Sequence, residues 1–143
     1  MIDHKGRLCI PSELREMLPK NERRDFTVMR GLDGCLFLYS KREWERVQKS
    51  LSKLPWWKAD TRRFARMLIP TAYEVKTDAQ GRIVIRQKLI EEAKLDRGVL
   101  FLGVGDRIEI WNPGIYKKYQ TRSNVTFEQA AEKVMVPREY AGD

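Results

Sequence analysis

The sequence has little of the residue types that build metal centres and hydrolytic active sites. Its 143 residues include one histidine, His4, and two cysteines, Cys9 and Cys35. Structural zinc sites need roughly four clustered cysteine or histidine ligands, and no spacing in the sequence suggests a nucleophile–base pair or a phosphate-cradling glycine-rich loop. We therefore expect a protein that is not an enzyme, with no metal, no cofactor and no small-molecule substrate. Both cysteines lie in apolar runs and are predicted to be small core residues rather than a disulfide.

Long hydrophobic runs are also missing. No apolar segment approaches the length that is needed to span a bilayer. The first five residues, Met1–Lys5, contain no apolar stretch of the kind found in signal peptides. The sequence therefore predicts a cytoplasmic protein with no membrane partner.

Positive charge, in contrast, is abundant. The chain has 28 Lys and Arg against 20 Asp and Glu, a formal net charge of +8 and an isoelectric point near 9.7. Such a balance favours a polyanionic partner, with nucleic acid as the first candidate and an anionic membrane surface as the second.

One short motif occurs twice. Asp3-His4-Lys5-Gly6-Arg7 is followed by an apolar run, and Asp78-Ala79-Gln80-Gly81-Arg82 repeats this frame 75 positions later (78 − 3). Glycine in such a frame permits a sharp turn with positive φ, and aspartate at its start can accept backbone hydrogen bonds. The duplication predicts two related units. Each arginine would stand just past an exposed corner, either to contact a partner or simply as a solvated surface charge.

The rest of the chain follows the same repeat. Each unit is predicted to run strand, turn, strand, helix, strand, strand, helix, with Ser40 and Asn112-Pro113 as helix starts. The predicted fold class is mainly β with short helices (α+β). The predicted domains are a first unit at 1–50, a connector at 51–67, a second unit at 68–120, and a C-terminal helix and tail at 121–143, the helix capped at Thr126.

The two units differ at their beginnings. A strand from Ile69 to Thr77 is predicted before Asp78, whereas only Met1 and Ile2 precede Asp3. The first unit is therefore expected to lack most of its first strand, which would leave an unpaired sheet edge.

The connector mixes aromatic and basic residues. Trp56 and Trp57 are followed by three arginines interleaved with Phe64 and Met67. This pattern is compatible with nucleic-acid contact, but the apolar residues step at helical spacing. An amphipathic helix with a solvated basic face is the favoured interpretation.

The two motifs and their spacing resemble the MraZ family of bacterial transcriptional regulators, built from two tandem SpoVT/AbrB-like units. Lys5-Gly6-Arg7 with Ile10-Pro11 fits the first unit, and Ile110-Trp111 fits the second hairpin-to-helix junction. The resemblance implies a pseudo-symmetric swapped-hairpin β-barrel and a homo-oligomeric ring. It also implies a nucleoid-associated protein that binds short direct repeats in the promoter of a division and cell-wall gene cluster, usually as a repressor.

The resemblance also assigns roles to residues. Lys5, Arg7 and their neighbours would contact double-stranded DNA, and we expect Arg7 to pair with guanine in the major groove. The full set of expected DNA-binding residues is Lys5, Arg7, Arg15, Arg82 and Arg86. The expected structural residues of the motif are Asp3, Gly6, Asp78 and Gly81.

Other functions are left open by the sequence. AbrB-type units also occur in antitoxins, which makes a protein-interaction module one alternative, although two units and a short tail argue against it. Charge alone would also allow non-specific binding to DNA or RNA.

Overall fold

The computed structural model describes residues 1–135, which form short helices and β-strands in an α+β arrangement. The chain divides into two compact units, Met1–Pro113 and Gly114–Asp143. The tail that the sequence predicts after Pro137 lies outside the described residues.

The first half of the chain supplies three strands and three helices. They are β1 (Arg7–Cys9), α1 (Ser12–Glu16), β2 (Asp25–Arg30), β3 (Leu36–Ser40), α2 (Lys41–Ser52) and α3 (Ala59–Leu68), with a 3-10 helix at Lys20–Glu22. The predicted cap of α2 is confirmed, because the Ser40 hydroxyl accepts a hydrogen bond from the Glu43 N–H at 3.3 Å. The connector is helical as favoured, but α3 buries Ala65 and Leu68, whereas Phe64 and Met67, expected on its apolar side, are exposed.

The second half repeats this order. Its elements are a 3-10 helix at Ile69–Thr71, β4 (Tyr73–Lys76), β5 (Arg82–Val84), α4 (Gln87–Glu92), β6 (Leu100–Val104), β7 (Arg107–Trp111), α5 (Pro113–Ser123) and α6 (Phe127–Val134). Thr126 caps α6 in a reciprocal capping box with Gln129, as the sequence predicts.

Strands from the two halves are interleaved. The five-stranded sheet has the order β4-β2-β3-β7-β6, and β1 pairs with β5 in a separate two-stranded ladder. Three antiparallel ladders, β1–β5, β2–β4 and β3–β7, join one half to the other. The larger sheet has β4 and β6 as open edges in the described part of the chain, so the predicted closed barrel is not confirmed.

The hydrophobic core fixes the two-stranded ladder in place. Leu8 and Ile83 are directly opposite each other in β1 and β5, and both are almost completely buried. They pack in one cluster with Val28, Leu38 and other strand residues of both halves. Burial of each such aliphatic side chain stabilises the fold by about 1.5–3 kcal/mol, so the core holds the turns that precede β1 and β5 against the main sheet.

Two expectations about these elements are wrong. The strand predicted from Ile69 begins only at Tyr73, because Pro70 lacks an amide for a ladder and Ile69–Thr71 closes a 3-10 turn instead. Cys9 is exposed rather than in the core, because the side chains of β1 alternate and Leu8 takes the inward position. Cys35 is buried as expected, and burial raises the pKa of its thiol to about 12. No strand precedes Asp3 among residues 1–135.

Candidate nucleic-acid interface

The first turn, Asp3–Arg7, is organised by one carboxylate. Asp3 Oδ1 accepts hydrogen bonds from the backbone N–H groups of Lys5 and Arg7, each at 2.9 Å. Asp3 Oδ2 accepts from Arg7 Nε at 2.7 Å. Gly6 closes the turn with φ +78° and donates its N–H to the Asp3 carbonyl. The carboxylate therefore shapes the backbone and also fixes the direction of the Arg7 guanidinium.

The second turn, Asp78–Arg82, has the same geometry. Asp78 Oδ1 accepts from the backbone N–H groups of Gln80 and Arg82 at 2.9 Å, and Oδ2 accepts from Arg82 Nε at 2.7 Å. Gly81 has φ +77°. The predicted turn roles of Asp3, Gly6, Asp78 and Gly81 thus correspond to matching hydrogen bonds and backbone angles in both halves.

These contacts favour the ionised form of both aspartates. The backbone N–H of Arg7 is the main cause that lowers the pKa of Asp3 from 3.8 to about 2, aided by the Arg7 side chain and the Lys5 N–H. The backbone N–H of Arg82 is likewise the main cause that lowers the pKa of Asp78. Both carboxylates remain charged at neutral pH and keep their arginines in place.

The β1–β5 ladder brings the two turns onto one surface. Arg7 is opposite Val84, and Arg82 is opposite Cys9. Because Leu8 and Ile83 point into the core, these four side chains share the outer face. Strand spacing and rise place the Cα atoms of Arg7 and Arg82 roughly 8 Å apart. We call this outer face of the ladder, with the two turns, the arginine face.

Asp–Arg pairing leaves part of each guanidinium available. The guanidinium hydrogen bond to each aspartate comes from Nε, and in the described chain the terminal nitrogens of Arg7 and Arg82 donate no hydrogen bond. Their side chains are about one-third exposed, at 31% and 33%. Two fixed guanidinium groups with available terminal nitrogens can bind phosphates or the edges of bases.

The other predicted site residues have different surroundings. Lys5 is exposed at the tip of the first turn. Arg15 donates from Nε to the Ile10 carbonyl at 3.1 Å, and its guanidinium packs against Gly81, beneath the second turn. Arg86 is stacked on the Tyr73 ring, 4.0 Å from the centroid, so it is held by an aromatic face and not by an aspartate.

Sequence reasoning missed two features near these residues. Cys9 lies beside Arg82 on the arginine face, and its thiol is 3.4 Å from the Gln80 carbonyl. Side chains of a strand alternate between its two faces, so an inward Leu8 would have predicted that Cys9 points outward. Arg30, Arg66 and Lys88 line one cavity together with Arg86. They are far apart in the sequence, so no local pattern could have grouped them.

Residues 1–135 contain neither a membrane-spanning helix nor a metal-binding cluster. No helix there is long and apolar enough to cross a membrane. In the same residues, no group of three or more His, Cys, Asp or Glu side chains is arranged to hold a metal ion.

Comparison with known proteins reproduces the duplication. The family model described as "MraZ protein, putative antitoxin-like" matches residues 1–67 and again residues 68–136. The described α+β chain therefore consists of two tandem domains of one family.

Curated relatives match over most of their length. A protein of a Thermoanaerobacter strain named "Transcriptional regulator MraZ" is 42% identical over 131 residues, covering 92% of this chain and 89% of that protein. Proteins of the same name from Heliobacterium modesticaldum and Desulforamulus reducens are 42% and 41% identical over 134 residues, which is 94% of this chain and 91% and 92% of theirs. On the strength of both matches, the chain belongs to the MraZ family.

Proposed function

We propose that this protein is a transcriptional regulator that binds DNA sequence-specifically through the arginine face. The main support for this proposal is that Arg7 and Arg82 lie on one surface and that an aspartate fixes each side chain. The relatives are named transcriptional regulators, and the net charge of +8 suits a polyanionic partner. The proposed role is regulatory and non-enzymatic, in the cytoplasm and at the nucleoid.

The proposed contacts follow from the donor groups. The two terminal nitrogens of an arginine fit the O6 and N7 atoms of guanine in the major groove, and we assign this role to Arg7. Lys5, at the tip of the same turn, would contact a phosphate. A spacing of roughly 8 Å covers two to three base-pair steps of about 3.4 Å, so Arg82 would contact the same short site or its backbone.

The assembly is part of the proposal. Short direct repeats require identical units in the same orientation, and a homo-oligomeric ring would present several arginine faces along one arc of DNA. Weak single contacts would then combine through avidity. Interleaving of β1 with β5 and of β3 with β7 supports a swapped-hairpin arrangement as the building block. Occupied repeats in the promoter of a division and cell-wall gene cluster would repress transcription.

The test is duplex binding at two salt concentrations. The probe is a duplex with the direct repeats found upstream of the gene, and the control is a scrambled duplex of equal length and composition. We expect preference for the repeats that persists at the higher salt concentration, because base contacts release few counterions. Equal affinity for both duplexes, lost together as salt rises, would refute sequence-specific regulation and leave a non-specific nucleic-acid binder.

A second candidate is an antitoxin-like interaction module. The family description itself includes the words "putative antitoxin-like". Under this alternative, the chain would bind and inhibit a partner protein, and DNA binding would be secondary. Co-expression with the products of adjacent genes would reveal it, because neutralisation of a toxic product would persist in a variant whose DNA binding is abolished.

A further inference from the structure

A second basic surface contains none of the residues of the two Asp–Arg pairs. Arg30, Arg66, Arg86 and Lys88 line a cavity of about 300 Å³ together with the acidic residue Glu92. They come from the end of β2, the last turn of α3, and the start of α4. We call this cavity the basic pocket.

Within the described residues, the cations of the basic pocket form no ion pairs. Among residues 1–135, none of these four side chains is within ion-pair distance of a carboxylate, whereas Arg63, also on α3, pairs with Asp60 at 3.1 Å. Like charges that converge on a concave surface repel one another unless an anion is bound. Within residues 1–135, four cations thus line this pocket with one carboxylate, that of Glu92.

Neighbouring contacts hold the walls of the basic pocket. The Arg86 guanidinium lies over the Tyr73 ring at 4.0 Å. The Tyr73 hydroxyl accepts from the Arg86 N–H at 2.8 Å and donates to the Val84 carbonyl at 3.2 Å. The Arg30 N–H donates to the Thr71 hydroxyl at 3.1 Å, and both residues line the pocket. The fixed backbone at Arg30 and the stacked Arg86 side chain reduce the entropic cost of ordering the site around a ligand.

We propose that the basic pocket binds a phosphoryl group at a site distinct from the arginine face. Arginines match the oxygens of a phosphate with paired donors, and lysine adds a point charge. A multiply charged phosphoryl anion fits several cations opposed by a single carboxylate better than a singly charged carboxylate ligand would. The phosphoryl group comes either from a free phosphorylated molecule or from the backbone of bound DNA.

Calorimetric titration of the full chain with inorganic pyrophosphate tests the shared chemistry. We expect saturable binding with one pyrophosphate per chain, weakened roughly tenfold by Arg66→Gln and by Lys88→Gln, because each removes a charge-assisted contact. Arg86 is left unchanged because it also packs on Tyr73. Arg63→Gln is the matched control, since Arg63 lies on the same helix but does not line the pocket.

Two results would overturn the proposal. One is the absence of saturable pyrophosphate binding by the unaltered protein. The other is equal binding by the unaltered protein, Arg66→Gln, Lys88→Gln and Arg63→Gln, with circular dichroism showing that all are folded. Neither result decides whether the arginine face reads DNA, because that proposal is tested with repeat and scrambled duplexes.

Duplex binding by the same variants identifies the source of the phosphoryl group. If the backbone of DNA supplies it, Arg66→Gln and Lys88→Gln each lower duplex affinity and reduce the salt slope by about one, and pyrophosphate competes with the duplex. If a free phosphorylated molecule is the ligand, duplex affinity is unchanged in both variants and pyrophosphate binds alongside the duplex. Either pattern, together with the calorimetric loss, supports a phosphoryl site.

Discussion

The two Asp–Arg turns of this protein share one geometry but have different neighbours. Their glycine φ angles, +78° and +77°, and their Nε–Oδ2 distances, both 2.7 Å, are nearly the same. Their tips differ, because Lys5 in the first turn corresponds to the uncharged Gln80 in the second. The features common to both are those that shape the backbone and aim the arginine.

The support beneath each turn differs as well. A Cβ atom at Gly6 would lie 2.7 Å from the backbone carbonyl oxygen of Ile85, whereas one at Gly81 would lie 2.5 Å from the guanidinium carbon of Arg15. The first turn thus packs on the backbone at Ile85, and the second turn packs on the guanidinium end of the Arg15 side chain. The same turn is therefore rigidly supported in one half and adjustable in the other.

Alanine at the two glycines should give the largest difference between the turns. Positive φ costs an alanine about 1–2 kcal/mol at either position. Gly6→Ala adds a clash with the Ile85 carbonyl, which only a backbone shift relieves, at about 1–3 kcal/mol. Gly81→Ala can displace Arg15 instead. We expect Gly6→Ala to lower the free energy of unfolding by about 2–5 kcal/mol and Gly81→Ala by about 1–2 kcal/mol, measured by urea denaturation.

Equal losses in the two alanine variants would contradict this difference in support. Arg15→Ala is the control background. Gly81→Ala should cost about as much in that background as in the unaltered protein if Arg15 moves aside freely, and less there if Arg15 resists displacement.

Alanine substitution of Arg7 and of Arg82 compares how much each turn contributes to DNA affinity. Arg7→Ala is expected to cost about 1–3 kcal/mol of affinity for the repeat duplex and to relax base preference, because a bidentate base contact is lost. Arg82→Ala is expected to weaken repeat and scrambled duplexes by similar factors, as a backbone contact would. Fluorescence anisotropy on both duplexes measures each loss. Unchanged repeat binding by Arg7→Ala would show that Arg7 does not read bases.

Much of this arrangement could be predicted from local sequence. Glycine at a sharp turn, an aspartate that accepts backbone hydrogen bonds, and the helix caps at Ser40 and Thr126 depend on residues a few positions apart. Their geometry is confirmed in residues 1–135. The MraZ family relationship followed from the same local frame, because it occurs twice at one spacing.

Long-range pairing could not be predicted in the same way. β4 leads into the second turn as expected, but the sequence did not reveal its ladder partner, which is β2, about 50 positions earlier in the chain. Such pairings depend on how the two halves bury their apolar faces together. The basic pocket has the same origin, since Arg30 and Arg86 are brought together only by the interleaved strands.

Exchange of the tip residues tests whether the first turn is special because of its charge. Lys5→Gln is expected to reduce the slope of log affinity against log salt by about one, because one phosphate contact is lost. Gln80→Lys should leave the slope unchanged or raise it by up to about one. The double variant Lys5→Gln/Gln80→Lys keeps the net charge of +8. If it binds the repeat duplex like the unaltered protein, only total charge matters and the two tips are equivalent.

The smallest effect concerns the titration of Asp3. Its pKa of about 2 lies below the ordinary 3.8. The stabilisation from its ionised form is therefore fully present above pH 3.8 and is lost as the pH falls through about 2. The pKa of Asp78 is lowered by the equivalent backbone contact, so both turns should persist in mild acid. Carboxyl carbon chemical shifts, followed by NMR from about pH 6 down to about pH 1, give both titrations in one sample.

Arg7→Ala then separates the two causes of this lowered pKa. The variant removes the guanidinium but keeps the backbone N–H of residue 7, which is the main cause, and that of Lys5. The pKa of Asp3 should rise but stay below 3.8, while Asp78 in the same molecule is unchanged. A return to the ordinary value would mean that the arginine holds the carboxylate. A partial rise would mean that the backbone N–H groups hold the carboxylate without the arginine, so that the turn itself fixes the direction of Arg7 in which we propose that it contacts DNA.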